Sequence, residues 1–246
     1  MPIFEFMGLP GSGKSTQAKR LLKERPDCVC LHELYWECVR SSGSRGILER
    51  MLSRLPLQIK MPLSGPMSRL DLVHRFMSEE PEYSRVVFSE LSQFPSKDLR
   101  MSFLHAWLKY AAERELVLKT GVEDHWVTVE EGFAHRAMTL FGYQEQAPSA
   151  DRIEAYVTAM PKPERILWVD TPVEICSERL KKRSAPPLPL IEISKHLWPD
   201  RLAVGRDVLS MVKEALQQCG VHVISLSPEA TLDDSIKQIP ALPDSV

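Results

Sequence analysis

Long hydrophobic runs, paired cysteines and an excess of one charge are all missing from this sequence. No apolar run approaches the ~20 residues that a membrane-spanning helix needs, so we expect no membrane partner. The five cysteines form no C-x-x-C pair, which argues against a disulfide framework and against a cysteine metal site. Cys28 and Cys30 fit better as buried thiols on one face of a strand, kept reduced in the cytoplasm.

Charge and length set further bounds. The 31 lysines and arginines nearly balance the 33 aspartates and glutamates, and they are scattered rather than striped. This distribution argues against a nucleic-acid polymer as partner. At 246 residues the chain fits one large α/β domain or two small ones, and we favour a single domain over residues 1–246. The first predicted strand begins at residue 3, which leaves no room for a targeting peptide and predicts a cytoplasmic protein.

A glycine-rich run, GLPGSGKST from Gly8 to Thr16, is the most informative feature that is present. It follows an apolar stretch of strand length and precedes a helical pattern over 17–25. This is the context of a phosphate-binding loop of the form G-x-x-x-x-G-K-S. Glycines let successive backbone N–H groups curl around a phosphate without obstruction from a Cβ, and the helix N-terminus adds positive potential.

The residue types within this run indicate ATP and Mg²⁺. We expect Lys14 to reach the β- and γ-phosphates as a catalytic charge, and the Ser15 hydroxyl to complete the Mg²⁺ shell. The residues predicted to bind the nucleotide are Gly8, Gly11, Ser12, Gly13, Lys14, Ser15 and Thr16.

Apolar runs of strand length alternate with longer helical patterns along the chain, which is typical of βαβ units. The predicted fold is α/β of the P-loop NTPase class, with a five-stranded parallel sheet sandwiched by helices. The predicted strands are 3–7, 28–32, 126–129, 165–169 and 221–226. A long helical insertion over about 39–123 contains enough breakers for three or four helices, the last at 102–119, and is expected to build the second-substrate pocket.

Carboxylates follow the predicted strands. Glu130 and Glu131 close the third strand in the Walker B manner, and we assign the Mg²⁺ role to Glu130 and a catalytic role to Glu131. Glu33 ends the second predicted strand, which we expect beside the first, so that its carboxylate nears the γ-phosphate. The sequence leaves open which of the three acts as base and which holds metal.

A basic run closes the predicted helix 173–180 and precedes the proline-rich loop 184–190. Arg179 and Arg183 are four residues apart, so both guanidinium groups fall on one helical face. We expect a lid over about 179–195 that closes over bound triphosphate and presents both arginines to the transferring phosphoryl group. The alternative is an ordinary basic helix end, favoured by the macrodipole.

Four segments resemble the P-loop nucleoside and nucleotide kinases, particularly the thymidylate kinase and deoxynucleoside kinase branch. They are GLPGSGKST, HELYW from His32 to Trp36, VEEGFAHR from Val129 to Arg136, and WVDTPVEICSERLKKR from Trp168 to Arg183. The resemblance implies that Glu33, followed by Trp36, is the general base and substrate contact. It also implies that Arg179 and Arg183 are lid arginines and that 227–230 contacts adenine.

The chain departs from that family after the third strand, where Glu130-Glu131-Gly132 replaces a D-R or E-R pair. Arg136, in the following helix, is the candidate to replace the missing arginine. Arg114 is similar to a substrate-contacting arginine of thymidylate kinases. The resemblance covers about half of the chain and leaves out the stretch 39–102.

These observations predict an ATP-dependent kinase that transfers the γ-phosphoryl group to a nucleoside, nucleotide or similar hydroxylated small molecule. A sugar or other metabolite kinase is the alternative within enzymes. A regulatory NTPase that uses ATP as a switch is the alternative of another class. The sequence leaves a homodimer open.

Overall fold

The computed structural model describes residues 2–41, 70–94, 96–120, 125–142, 144, 148–183, 190 and 193–226. Within these residues five strands form one all-parallel sheet in the order β2-β3-β1-β4-β5. The strands are β1 Ile3–Met7, β2 Cys28–Cys30, β3 Trp126–Val129, β4 Arg165–Val169 and β5 His222–Leu226.

The strand predictions are largely confirmed, with two corrections at β2. Bounds agree at β1, β3 and β4, and β5 begins one residue later than predicted. β2 ends at Cys30 because a helix begins at Leu31, so Glu33 does not end a strand. β2 also pairs with β3 rather than with β1. β3 is buried along its whole length and takes the position beside β1, while the three-residue β2, with two half-buried residues, suits an edge.

Nine α-helices lie within the described residues, together with a short 3₁₀ turn at Lys195–Leu197. They are α1 Lys14–Glu24, α2 Leu31–Ser41, α3 Leu70–Glu79, α4 Pro81–Leu91, α5 Lys97–Thr120, α6 Phe133–Gly142, α7 Ala150–Ala159, α8 Val173–Lys181 and α9 Trp198–Gln218. The predicted helix 102–119 is the longer α5, and the helix predicted at 17–25 begins three residues earlier as α1.

The sheet has a hydrophobic layer on each face. Side chains of β1 alternate between the layers, because successive strand residues point to opposite faces. Phe4 and Phe6 belong to a cluster with residues of α1, while Met7 belongs to a larger cluster that includes α5 and α6. This arrangement confirms helices on both faces of the sheet.

The predicted insertion is helical where the structure describes it. Its predicted start at residue 39 falls inside α2, which runs to Ser41, its described remainder contains α3, α4 and α5, and residues 42–69 lie outside the described residues. Most of the predicted loop 184–190 and all of 227–230 also lie outside them, so the lid and the adenine contact stay predictions. No helix in the described part of the chain is long and apolar enough to cross a membrane.

Candidate functional site

The loop between β1 and α1 depends on glycine for its shape. Gly11 has φ +84° and Gly13 has φ +102°, in the left-handed region that other residues rarely adopt. A Cβ on Gly11 would lie 2.6 Å from the carbonyl oxygen of Cys176 in α8. The glycine therefore permits both the turn and the close packing of α8 against it.

Side chains from α8 and from the segment between β4 and α8 brace the carbonyl groups of this loop. Thr171 Oγ1 donates a hydrogen bond to the carbonyl oxygen of Ser12 at 2.9 Å. Arg179 Nη1 donates to the carbonyl oxygens of Gly11 and Ser12 at 3.3 and 3.1 Å. Gly13 caps α1 without a side-chain hydrogen bond. The N–H groups in the first turn of α1 thus meet no capping side chain, which suits them to an anion.

Lys14 lies against the same loop. Its Nζ donates to the carbonyl oxygens of Gly8 at 2.7 Å and Leu9 at 3.1 Å, and the side chain is buried. Burial lowers the pKa of Lys14 to about 8, and the negative charge of Glu131 partly opposes that shift. A bound anion would give this desolvated ammonium a stronger partner than two carbonyl groups.

Among the described residues, three cavities lie at the loop or at the start of α1. The first, which we call the loop cavity, measures about 270 Å³ and is lined by Lys14, Ser15, Phe103, Glu131, His135 and Arg136, among others. The outer cavity measures about 250 Å³ and lies between the loop and the end of α8. The large cavity measures about 600 Å³ and lies between α1, α5 and the ends of β2 and β3.

The outer cavity contains the two predicted lid arginines. Arg179 and Arg183 both line it, together with Gly11, Gly13 and Gln17, and Arg183 also lines the loop cavity. Both arginines therefore border the space beside the glycine loop, but α8 ends at Lys181, so Arg183 lies beyond the helix and the two do not share a helical face. Arg179 already donates hydrogen bonds to two carbonyl oxygens of the loop in this conformation.

Shared lining residues join the loop cavity to the large cavity. Ser15, Glu131 and Arg136 line both, whereas Glu130 lines only the large cavity. Of the two glutamates, Glu131 has the greater influence on the pKa of Lys14. Arg136 thus lies where two cavities meet, and its role as a substitute for the missing arginine stays a prediction.

The donor set near Ser15 fits Mg²⁺ bound together with a phosphate. The Ser15 hydroxyl and the carboxylates of Glu130 and Glu131 line one space. No group of three or more His, Cys, Asp or Glu side chains suited to a metal ion exists within the described residues. Mg²⁺ often takes only one or two protein carboxylates and completes its shell with phosphate oxygens and water.

A hydrogen-bonded network that sequence reasoning missed lines the large cavity. His32 Nδ1 lies 2.7 Å from Glu113 Oε1, and Lys109 Nζ lies 3.1 Å from the same oxygen. Trp36 Nε1 donates to His32 Nε2 at 3.2 Å. His105, Lys109 and Glu113 fall four residues apart on α5 and all line this cavity. That polar stripe at helical spacing was the available signal.

The structure does not bring three predicted residues to any of these cavities. Glu33 is exposed on α2, because the helix has already begun at Leu31. Trp36 is buried behind His32 and reaches the large cavity only through that histidine. Arg114 Nη1 lies 3.2 Å from Glu115 Oε1, and Arg114 does not line the large cavity, whereas its neighbour Glu113 does.

A second feature that sequence reasoning missed is the buried carboxyl group of Glu5, in the middle of β1. Glu5 Oε1 accepts a hydrogen bond from the His135 backbone N–H at 2.7 Å, in the first turn of α6. Burial raises the pKa of Glu5 to about 7, and the hydrogen bonds from the α6 backbone oppose that shift. A Cβ on Gly132 would lie 2.5 Å from this carboxyl group. Glu5 therefore fixes the helix that carries His135 and Arg136.

Comparisons with models of protein families and with curated proteins give no match to this chain. The function of this chain is therefore inferred from the geometry and chemistry of its site.

Proposed function

We propose that this protein is an ATP-dependent kinase of small molecules, and that the loop from Gly8 to Gly13 is a P-loop. The observation that carries the proposal is the pairing of two cavities at one loop. A glycine loop with a buried lysine opens into the loop cavity, and shared acidic and basic side chains join that cavity to a larger one. A kinase needs this combination, because the phosphoryl donor and the acceptor must meet at the γ-phosphate.

The chemistry assigns separate roles to the residues around the loop. In the proposed reaction the acceptor oxygen forms a bond to the γ-phosphorus, the bond from that phosphorus to the β–γ bridging oxygen breaks, and ADP leaves. Lys14 and the α1 N-terminus stabilise the phosphates, and Arg183 and Arg136 meet the developing charge. Glu131, which lines both cavities, accepts the proton of the acceptor hydroxyl.

Ser15 and Glu130 are the proposed Mg²⁺ ligands. When bound, the ion would neutralise part of the phosphate charge. ATP as substrate and free thiols at all five cysteines are in keeping with a cytoplasmic protein, which remains part of the proposal.

The size of the large cavity favours phosphoryl transfer over an ATP switch. Its volume of about 600 Å³ falls within the range of small-molecule pockets. A regulatory NTPase needs only water as acceptor, so a second cavity of this size beside the loop has no role in hydrolysis. Nucleosides, nucleotides, sugars and other hydroxylated metabolites are all candidate acceptors.

Phosphoryl transfer tests the proposal directly. Purified protein is incubated with Mg²⁺ and [γ-³²P]ATP against a panel of nucleosides, nucleotides and sugars, and labelled products are separated. We expect label on one class of acceptor, with at least a hundredfold less from Lys14→Ala, because the lysine acts on transition-state charge. Release of inorganic phosphate without any labelled acceptor would favour the ATP switch instead.

A further inference from the structure

The wall of the large cavity that α5 forms presents a carboxylate held in one orientation. Glu113 is mostly buried, and its two contacts, from His32 and Lys109, both go to Oε1. Burial alone would raise the pKa of Glu113, but the hydrogen bond from His32 and the charge of Lys109 lower it below its ordinary value. The group is therefore an ionised acceptor of hydrogen bonds at neutral pH.

The donors to this carboxylate are themselves fixed. An indole N–H can only donate, so the bond from Trp36 makes His32 Nε2 an acceptor and assigns the ring proton to Nδ1. His32 then donates that proton to Glu113 Oε1 at 2.7 Å. The chain of three residues sets the direction of the carboxylate, and the second oxygen, Oε2, keeps its lone pairs for another donor.

We propose that Glu113 binds a hydroxyl group of the phosphoryl acceptor, and that the acceptor is an uncharged hydroxylated molecule rather than one that already carries a phosphate. The proposal rests on the proposed kinase function, because it assigns a substrate class to the second cavity. A hydroxyl donor complements Glu113 Oε2. Glu113 is a substrate-binding residue in this scheme, and His32 and Trp36 are positioning residues.

The charges on this wall decide against a phosphorylated acceptor. Lys109 is paired with Glu113 at 3.1 Å, so its positive charge is already compensated. A second phosphate beside Glu113 would meet a fixed negative charge in a partly desolvated space, where like charges repel strongly. Lys19 on α1 and Arg136 on α6 also line this cavity, but they belong to its loop side together with Ser15 and Glu131, whereas the α5 wall presents Lys109 already paired with Glu113.

Binding of matched pairs tests the proposal without depending on turnover. Wild-type protein with saturating ADP and Mg²⁺ is titrated calorimetrically with nucleosides against their 5′-monophosphates and with hexoses against their 6-phosphates. We expect the uncharged member of one pair to bind more tightly. Glu113→Gln should weaken that binding about tenfold or more, the range for a lost hydrogen bond to a charged group, with the Kd for ADP unchanged. Glu154→Gln, on the exposed face of α7, is the matched control and should change neither.

Trp36→Phe keeps an aromatic side chain but removes the N–H group that fixes His32. We expect this variant to bind the acceptor severalfold more weakly and to bind ADP normally. It also replaces Glu113→Gln if that variant does not fold. Tighter binding of a phosphorylated member, unchanged acceptor affinity in both variants, or no binding by any pair while ADP binds would each overturn the proposal. Loss of ADP binding in the wild type would instead contradict the kinase function on which it rests.

Discussion

One side chain at the glycine loop, that of Lys14, is charged and buried, and this burial costs free energy when no ligand is bound. Lys14 is a buried ammonium with only two carbonyl partners, and its pKa is lowered to about 8 by that burial. A desolvated charge is stabilised most by an opposite charge placed against it. An anion bound over the loop would therefore lower the free-energy cost of keeping the buried Lys14 side chain charged.

This environment predicts a pH dependence of nucleotide binding. A neutral Lys14 attracts phosphate less, so the affinity for ADP should fall as pH rises through about 8, where the free protein loses this charge. We expect the Kd for ADP, measured by calorimetry without Mg²⁺, to rise about tenfold between pH 7.5 and 9. Lys14→Met should bind weakly at both pH values, and a flat wild-type profile would contradict the assignment.

Whole elements are joined at the site by groups distant in sequence. α6 begins at Phe133 against a carboxyl group from β1, so residue 5 does what a capping side chain does elsewhere. The loop before α1 is likewise shaped by α8, whose backbone touches Gly11 and whose Arg179 holds the loop carbonyls. The ends of the helices at this site are therefore set by tertiary contacts.

The Glu5 contact predicts a pH-dependent contribution to stability. Burial raises the pKa of Glu5 to about 7 from an ordinary value near 4.5. The stability contributed by the protonated group is fully present below pH 4.5 and is lost as pH rises to about 7. The unfolding free energy of the wild type relative to Glu5→Gln should therefore fall by roughly 3 kcal/mol between pH 4.5 and 7.5. Urea denaturation at several pH values measures it, and parallel profiles for the two proteins would show that Glu5 does not titrate in this range.

The loop geometry predicts a difference between two glycines. Gly11→Ala places an alanine at a left-handed φ and also brings its Cβ into a clash with the Cys176 carbonyl oxygen. Gly220→Ala places an alanine at a similar φ of +81°, but nothing lies within 4 Å of the new Cβ. Gly220→Ala should cost about 1 kcal/mol of unfolding free energy, and Gly11→Ala clearly more, with loss of ADP binding. Equal losses of stability would mean that the contact with α8 has no energetic weight.

At the scale of the whole molecule, the candidate site lies at the edge of the sheet where the parallel strands end, between the helical layers on its two faces. β1 and β3 are neighbours in the sheet, so the glycine loop after β1 and the acids after β3 meet at one edge. The large cavity is assembled from elements that are farther apart in sequence, because its walls come from α1, α5 and the start of α2. The proposed nucleotide binding would thus engage several elements of the native fold at once.

Ligand linkage supplies the prediction for the whole molecule. Under the proposed function ADP binds the native chain and not the unfolded one, so at a hundred times its Kd it should raise the unfolding free energy by about 2.7 kcal/mol. Differential scanning fluorimetry should show a matching rise in Tm. Lys14→Ala, compared at the same ADP concentration, should show little or none. A wild-type Tm that does not respond to ADP would contradict nucleotide binding at the loop.

The sequence by itself determined the parts that depend on neighbouring residues. The glycine loop and the alternation of strands and helices are local patterns, and the structure agrees with the predicted bounds of β1, β3 and β4. Local geometry suffices there because φ preferences and hydrophobic periodicity act over a few residues.

Only the tertiary structure decided the strand order, the exposure of Glu33 and the assembly of the large cavity. Which strand lies beside β1 depends on burial over the whole sheet, and a shift of two residues in the end of β2 moves Glu33 from a strand end to the outside of a helix. Glu113 and His32 are 81 residues apart in sequence, and Glu5 and His135 are 130 apart. Contacts over such separations follow from the packing of layers, which no local pattern encodes.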